Sequence, residues 1–106
     1  MLKIPLKQIP SQKIRVVLGG QNCTLSIYYR FGSLYMDLYV GDNLVEQGAA
    51  CRNRASIIRV SNSYFSGSLH FLDLLGDKDP DYQLFNDRYI LLFVSANETL
   101  PAGLRY

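Results

Sequence analysis

His70 is the only histidine in the chain, so any serine or cysteine nucleophile would have to be activated through it, with Cys23, Cys51 or a serine as the attacking group. No local signature of such a site surrounds it, and a single histidine inside an alternating apolar run is ordinarily a packed or surface residue. Nucleophilic catalysis is therefore not expected. The carboxylates Asp73, Asp77, Asp79, Asp81 and Asp87 gather late in the sequence, and Asp77-Lys78-Asp79-Pro80-Asp81 repeats the first three ligand positions of a calcium loop. The match then fails. The sixth position is Tyr82 where that loop needs glycine, and the twelfth is Arg88 where it needs a bidentate glutamate. A solvated Asx/Pro turn fits this stretch better. Neither cysteine has a second Cys or His at zinc-finger spacing, and a chain of this size does not need a disulfide framework, so two free, buried thiols are expected. No catalytic residue, metal ligand or cofactor-binding residue is assigned, and no cofactor is expected. Asn22-Cys23-Thr24 and Asn97-Glu98-Thr99 fit the glycosylation acceptor pattern, which has meaning only in a secreted eukaryotic chain, and nothing here points to one.

Contact chemistry remains. Eight Tyr and five Phe with no Trp give the 106 residues an aromatic set suited to strands and interfaces, because tyrosine combines a large apolar ring with a polar tip. Tyr28, Tyr35 and Tyr39 fall on the polar face of their runs and are the leading candidates for an interface. Arg52 and Arg54, flanking Asn53 beside a small-residue stretch, could form an anion-binding or docking spot, and Tyr82 and Tyr106 complete the candidate set. Eleven basic and nine acidic residues leave a formal charge of +2. They are spread along the chain without the cationic footprint of a phosphate-collecting surface, so no specific nucleic-acid binding is expected. No run approaches the length of a membrane span and Met1 to Pro5 lacks an apolar signal core, so no membrane association and synthesis in the cytoplasm are expected.

The elements that must position these residues have a period of two. Ile14, Val16 and Leu18 alternate with Lys13, Arg15 and Val17; Cys23, Leu25, Ile27 and Tyr29 alternate with Thr24, Ser26, Tyr28 and Arg30. Gly19 to Asn22 between them reads as a hairpin turn. Leu34, Met36, Leu38 and Val40 alternate with Tyr35, Asp37 and Tyr39. Gly41-Asp42-Asn43 then turns the chain into a return strand over Leu44 to Gln47. Residues 48–54 are less regular, and Ala55 to Val60 reads as a short strand. Leu69, Phe71 and Asp73 alternate with His70, Leu72 and Leu74, Gly76 to Pro80 breaks the chain, and Arg88 to Val94 reads as a strand covered on both faces. The expectation is one all-β domain over 1–106, a small antiparallel barrel or compact sandwich of about six or seven strands. Residues 1–11 form an N-terminal arm or edge strand and 95–106 an extended tail.

Several stretches together resemble a known family: Ile4-Pro5-Leu6, Ile9-Pro10-Ser11-Gln12, Leu18 to Gln21, Tyr35-Met36-Asp37-Leu38, Gly67 to Phe71, Gly76 to Tyr82, and Asp87-Arg88-Tyr89. Their order and spacing, from Leu2 to about Val94, are similar to the cyanophage-type baseplate plug proteins of bacteriophage tails. The resemblance implies a structural virion protein in the tail baseplate, near the axis where tube meets hub and spike, without enzymatic activity. It also implies partners among tube, hub, spike or baseplate wedge subunits and homo-oligomeric assembly. It does not extend over Ala96 to Tyr106 and carries no residue with an assigned role. From the residues themselves, docking would use sheet edges, the tyrosine-bearing face and the two terminal segments. The competing reading is a small β-barrel module in which Tyr28, Arg30, Tyr35 and Tyr39 bind a ligand or single-stranded nucleic acid.

Overall fold

The computed structural model describes residues 1–58, 65–96, 98–100 and 103–104. Seven strands run as β1 (Leu2–Ile4), β2 (Ser11–Leu18), β3 (Gln21–Arg30), β4 (Ser33–Val40), β5 (Asn43–Ala50), β6 (Ser68–Asp73) and β7 (Tyr89–Val94). They form two antiparallel sheets, a four-stranded meander β2-β3-β4-β5 and a three-stranded sheet ordered β1-β7-β6. The fold is the sandwich of the two expected architectures; the barrel is not formed, because no strand ladder among the described residues joins the sheets.

The alternation in the sequence fixes which faces meet. Leu25, Ile27, Leu34, Met36 and Leu38 of the meander are at most 2% exposed, and they pack with Ile4, Leu69, Phe71 and Leu91 of the smaller sheet into one core. Cys23 and Cys51 lie in it as free thiols, and burial raises the pKa of both. Hairpin β2–β3 turns on Gly19 and Gly20, both at positive φ, which matches the twist of paired strands. The same two-residue geometry recurs at β3–β4, with Phe31 at φ 52° beside Gly32 at φ 80°.

Three stretches differ from the sequence reading. β5 continues past Gln47 to Ala50, with register shifts against β4 near Leu38. The strand read over Ala55 to Val60 is not regular in its described part. Arg54 sits at φ 68°, the Ser56 hydroxyl donates to the Ile58 carbonyl at 2.8 Å, and only isolated bridges from Asn53 and Ser56 reach β6. The bridge at Asn53 is parallel and that at Ser56 antiparallel, so the left-handed turn at Arg54 between them breaks any continuous ladder; residues 59 and 60 lie outside the described set. Tyr29, placed by alternation with the core residues, is 48% exposed: it lies opposite the buried Leu34 but lines an open groove. Residues 1–11 are pinned to the domain along much of their length. Leu2–Ile4 pairs with β7, Ile4 and Leu6 are buried, and Leu6 exchanges backbone bonds with the Asn86 side chain. In the C-terminal segment Glu98 accepts from the Met1 amine and from the Ser95 amide and hydroxyl, which hold its carboxyl down at about 2.

Candidate interaction face and groove

The meander has one face in the core and one without a described strand over it. On that outer face the register lines up Tyr28 with Tyr35, Ser26 with Asp37, and Thr24 with Tyr39 and Leu44. Tyr28 and Tyr35 stack at 6.1 Å with 28° between their rings, and the Arg30 guanidinium lies 5.5 Å from the Tyr28 centroid. The Tyr28 hydroxyl donates to Asp37 Oδ1 at 2.9 Å, and the Gly48 amide donates to the same oxygen at 2.7 Å. Burial, followed by the neighbouring carboxylate, raises the Tyr28 pKa. The ring is thus held in one orientation with its phenol protonated. A preorganised aromatic pair loses little side-chain freedom on binding a partner.

Around the strand ends the face turns into a groove of about 600 Å³. Leu34 and Cys51 contribute buried lining, Tyr35 and Arg52 come from the meander side, and Asp79-Pro80-Asp81-Tyr82-Gln83 forms the opposite wall. Tyr29 and Tyr82 meet edge to face at 5.5 Å. Beside the stacked tyrosines Phe31 is 95% exposed on its hairpin tip. A left-handed backbone costs a non-glycine residue roughly 1–2 kcal/mol, so this ring is presented to solvent at an energetic cost.

A family model described as Cyanophage baseplate Pam3 plug gp18 matches residues 1–97 of the 106. The chain belongs to this baseplate plug family. Membership makes it a structural component of a phage tail baseplate, with other baseplate or tail proteins as its partners. No curated protein matches the chain.

Within this plug-family fold the sequence-derived candidates separate. Tyr28, Tyr35 and Tyr39 share the outer face, and Tyr35, Arg52 and Tyr82 share the groove. Arg54 serves elsewhere. Its amide donates to the Phe71 carbonyl at 2.7 Å, its carbonyl accepts from His70 Nδ1 at 2.9 Å, and its guanidinium meets Asp77 at 3.5 Å. Tyr106 lies outside the described residues. The structure adds Phe31 and Tyr29 to the candidate contact residues, and Phe31 carried a signal in the sequence, because an aromatic beside glycine at a two-residue hairpin turn has no core to enter.

The residues that invited catalytic or metal readings have local partners. A carbonyl can only accept, so His70 Nδ1 carries the proton toward Arg54 and Nε2 accepts from the Ser68 hydroxyl at 2.8 Å. The ring is fully buried, and burial lowers its pKa, favouring the neutral form. The late aspartates are dispersed over separate bonds. Asp77 pairs with Arg54, Asp79 accepts the Asn53 amide at 3.0 Å, Asp81 caps the short 3-10 turn Tyr82–Leu84 through the Gln83 amide, and Asp87 accepts from Gln8. Among the described residues no three His, Cys, Asp or Glu side chains are grouped as metal ligands.

Proposed function

We propose that the chain is a non-enzymatic plug or adaptor near the tail axis, where tube, hub and spike meet, and that it works by protein–protein assembly through the outer face of its meander and the adjoining groove. The observation that carries this reading is the open aromatic surface: the stacked Tyr28–Tyr35 pair, Tyr39 and Leu44 beside it, and Phe31 exposed on a strained tip. Aromatic anchors of this kind, surrounded by polar residues, dominate interface energetics. Several copies arranged about the axis would each present the same surface to a neighbour.

The test is co-expression with tube, hub, spike and wedge subunits, followed by recovery of the tagged chain at high salt and mass spectrometry. Asp tolerates the left-handed region better than Phe, so Phe31→Asp is expected to leave the thermal midpoint unchanged or raised. Recovery of tail subunits should fall at least tenfold. Undiminished recovery with that variant would remove the tip from the interface. The nucleic-acid reading keeps one observation, Arg30 over the Tyr28 ring beside a second stacked tyrosine. Salt-sensitive retention of single-stranded DNA by the purified chain, lost in Tyr28→Ala, would favour it.

A further inference from the structure

A second surface lies at the opposite edge of the meander. β2 is an outermost strand, and its register with β3 is unbroken from Ser11↔Tyr28 to Leu18↔Gln21, whereas the other outer strand, β5, is interrupted by register shifts. The Tyr29 amide donates to the Pro10 carbonyl at 2.8 Å. By antiparallel alternation, Gln12, Ile14 and Val16 then bond to β3, while Ser11, Lys13, Arg15 and Val17 turn their N–H and C=O groups away from it. No described residue pairs with those outward groups. An unbulged edge of this length is a template for another strand.

Side chains along the edge state what that strand must look like. A groove beside β2 is lined by Lys7, Lys13 and Arg15 with no carboxylate among its lining residues, and none of the three forms an ion pair among the described residues. Apolar lining comes from Pro5, Ile9 and Ile14. Ile14 and Val16 point inward yet are only half-buried, so the core is incompletely covered at this edge. The wall is set in advance: the Lys7 amide donates to Gln12 Oε1 at 3.0 Å, and Gln12 Nε2 donates to the Lys7 carbonyl at 2.7 Å. A second copy of β2 would bring Lys13 and Arg15 against their own kind, which opposes self-pairing.

We propose that the free edge of β2 accepts by strand addition an extended segment of a partner protein in which carboxylates alternate with apolar residues. The acidic side chains lie beside Lys13 and Arg15, and the apolar ones cover Ile14 and Val16. The proposal depends on the assembly reading only for the partner being a tail protein, and its surface is separate from the aromatic face. The experiment titrates the full chain with an alternating Glu/Val octapeptide, an alternating Lys/Val octapeptide and an oligothymidylate strand, followed by amide chemical shifts and hydrogen exchange.

The Glu/Val peptide is expected to shift the amides of Ser11 to Val17 and to slow exchange of Lys13, Arg15 and Val17. Binding should weaken with salt and fall at least tenfold in a Lys13→Glu, Arg15→Glu double variant. Arg15→Pro, which removes an outward donor without touching the β3 ladder, should also abolish it. Equal binding of the Lys/Val peptide, preference for oligothymidylate, or absence of amide protection at millimolar peptide would overturn the proposal. None of these results alters the expected loss of tail subunits from Phe31→Asp, so the two readings fail separately.

Discussion

Replacing Phe85 with alanine is expected to destabilise the domain by about 3–5 kcal/mol, the range for emptying a buried phenylalanine site, and to lower Tm by at least ~12 °C. Phe85 is fully buried and stacks on Phe71 at 5.6 Å with 15° between the rings. It also closes the 3-10 turn, and its carbonyl accepts from Gln8 at 2.9 Å. One side chain therefore fastens the segment carrying Asp79 to Gln83 onto the smaller sheet. Amide exchange at Gln83 should accelerate along with the global loss, because the groove wall is released with the ring. Phe85→Leu, which keeps most of the apolar volume, should recover a large part of the stability. Thermal and denaturant unfolding of the two variants decides the matter, and equal midpoints for Phe85→Ala and the parent would show that the stack does not anchor the wall.

Asp73→Ala is the second large effect. This carboxylate is 2% exposed and receives Arg88 Nε and Nη2, both at 2.8 Å, together with the amides of Leu75 and Lys78, both at 2.9 Å. Removing it leaves a partly buried guanidinium without its carboxylate and two amides without their acceptor, which is more damaging than deleting an exposed pair. The loss in denaturant midpoint should far exceed that of Asp42→Ala at an exposed turn. Equal shifts in the two variants would refute the anchoring role. The Arg88 guanidinium, then the Leu75 and Lys78 amides, hold the Asp73 carboxyl well below its ordinary 3.8. A depressed carboxyl contributes its full stability above the unfolded value and loses it as pH falls toward the folded one. The parent should thus lose stability progressively below about pH 4, and Asp73→Asn should lose less over that acid range while starting lower at neutral pH.

Much of the architecture was legible because its signal is local. Alternation in β2, β3 and β4 placed Tyr28, Tyr35 and Tyr39 on one outer face, and the Gly19-Gly20 pair marked the hairpin between β2 and β3. The apolar run of β7 announced a strand covered on both sides. Illegible parts depend on residues distant in sequence. The groove joins Tyr29, Arg52 and Tyr82, no two of which belong to one element, and Asp73 owes its role to Arg88 on the far side of an irregular loop. Arg52 and Arg54 looked equivalent beside Asn53, yet the left-handed turn at Arg54 directs it into the bonds that fasten β6. The β2 edge was obscured for a related reason: its residues announce a strand, but not that the neighbour on one side is missing.

The pairing of β1 with β7 has a consequence in time. Leu2 faces Phe93 and Ile4 faces Leu91, so β1, made before the other strands of this fold, has no sheet partner until the residues through β7 have followed it. The meander needs only Ser11 to Ala50, and each of its strands pairs with the next as synthesis proceeds. Contacts close in sequence form cheaply and distant ones late. The open aromatic face is thus laid down early, while the smaller sheet that completes the core closes after the meander.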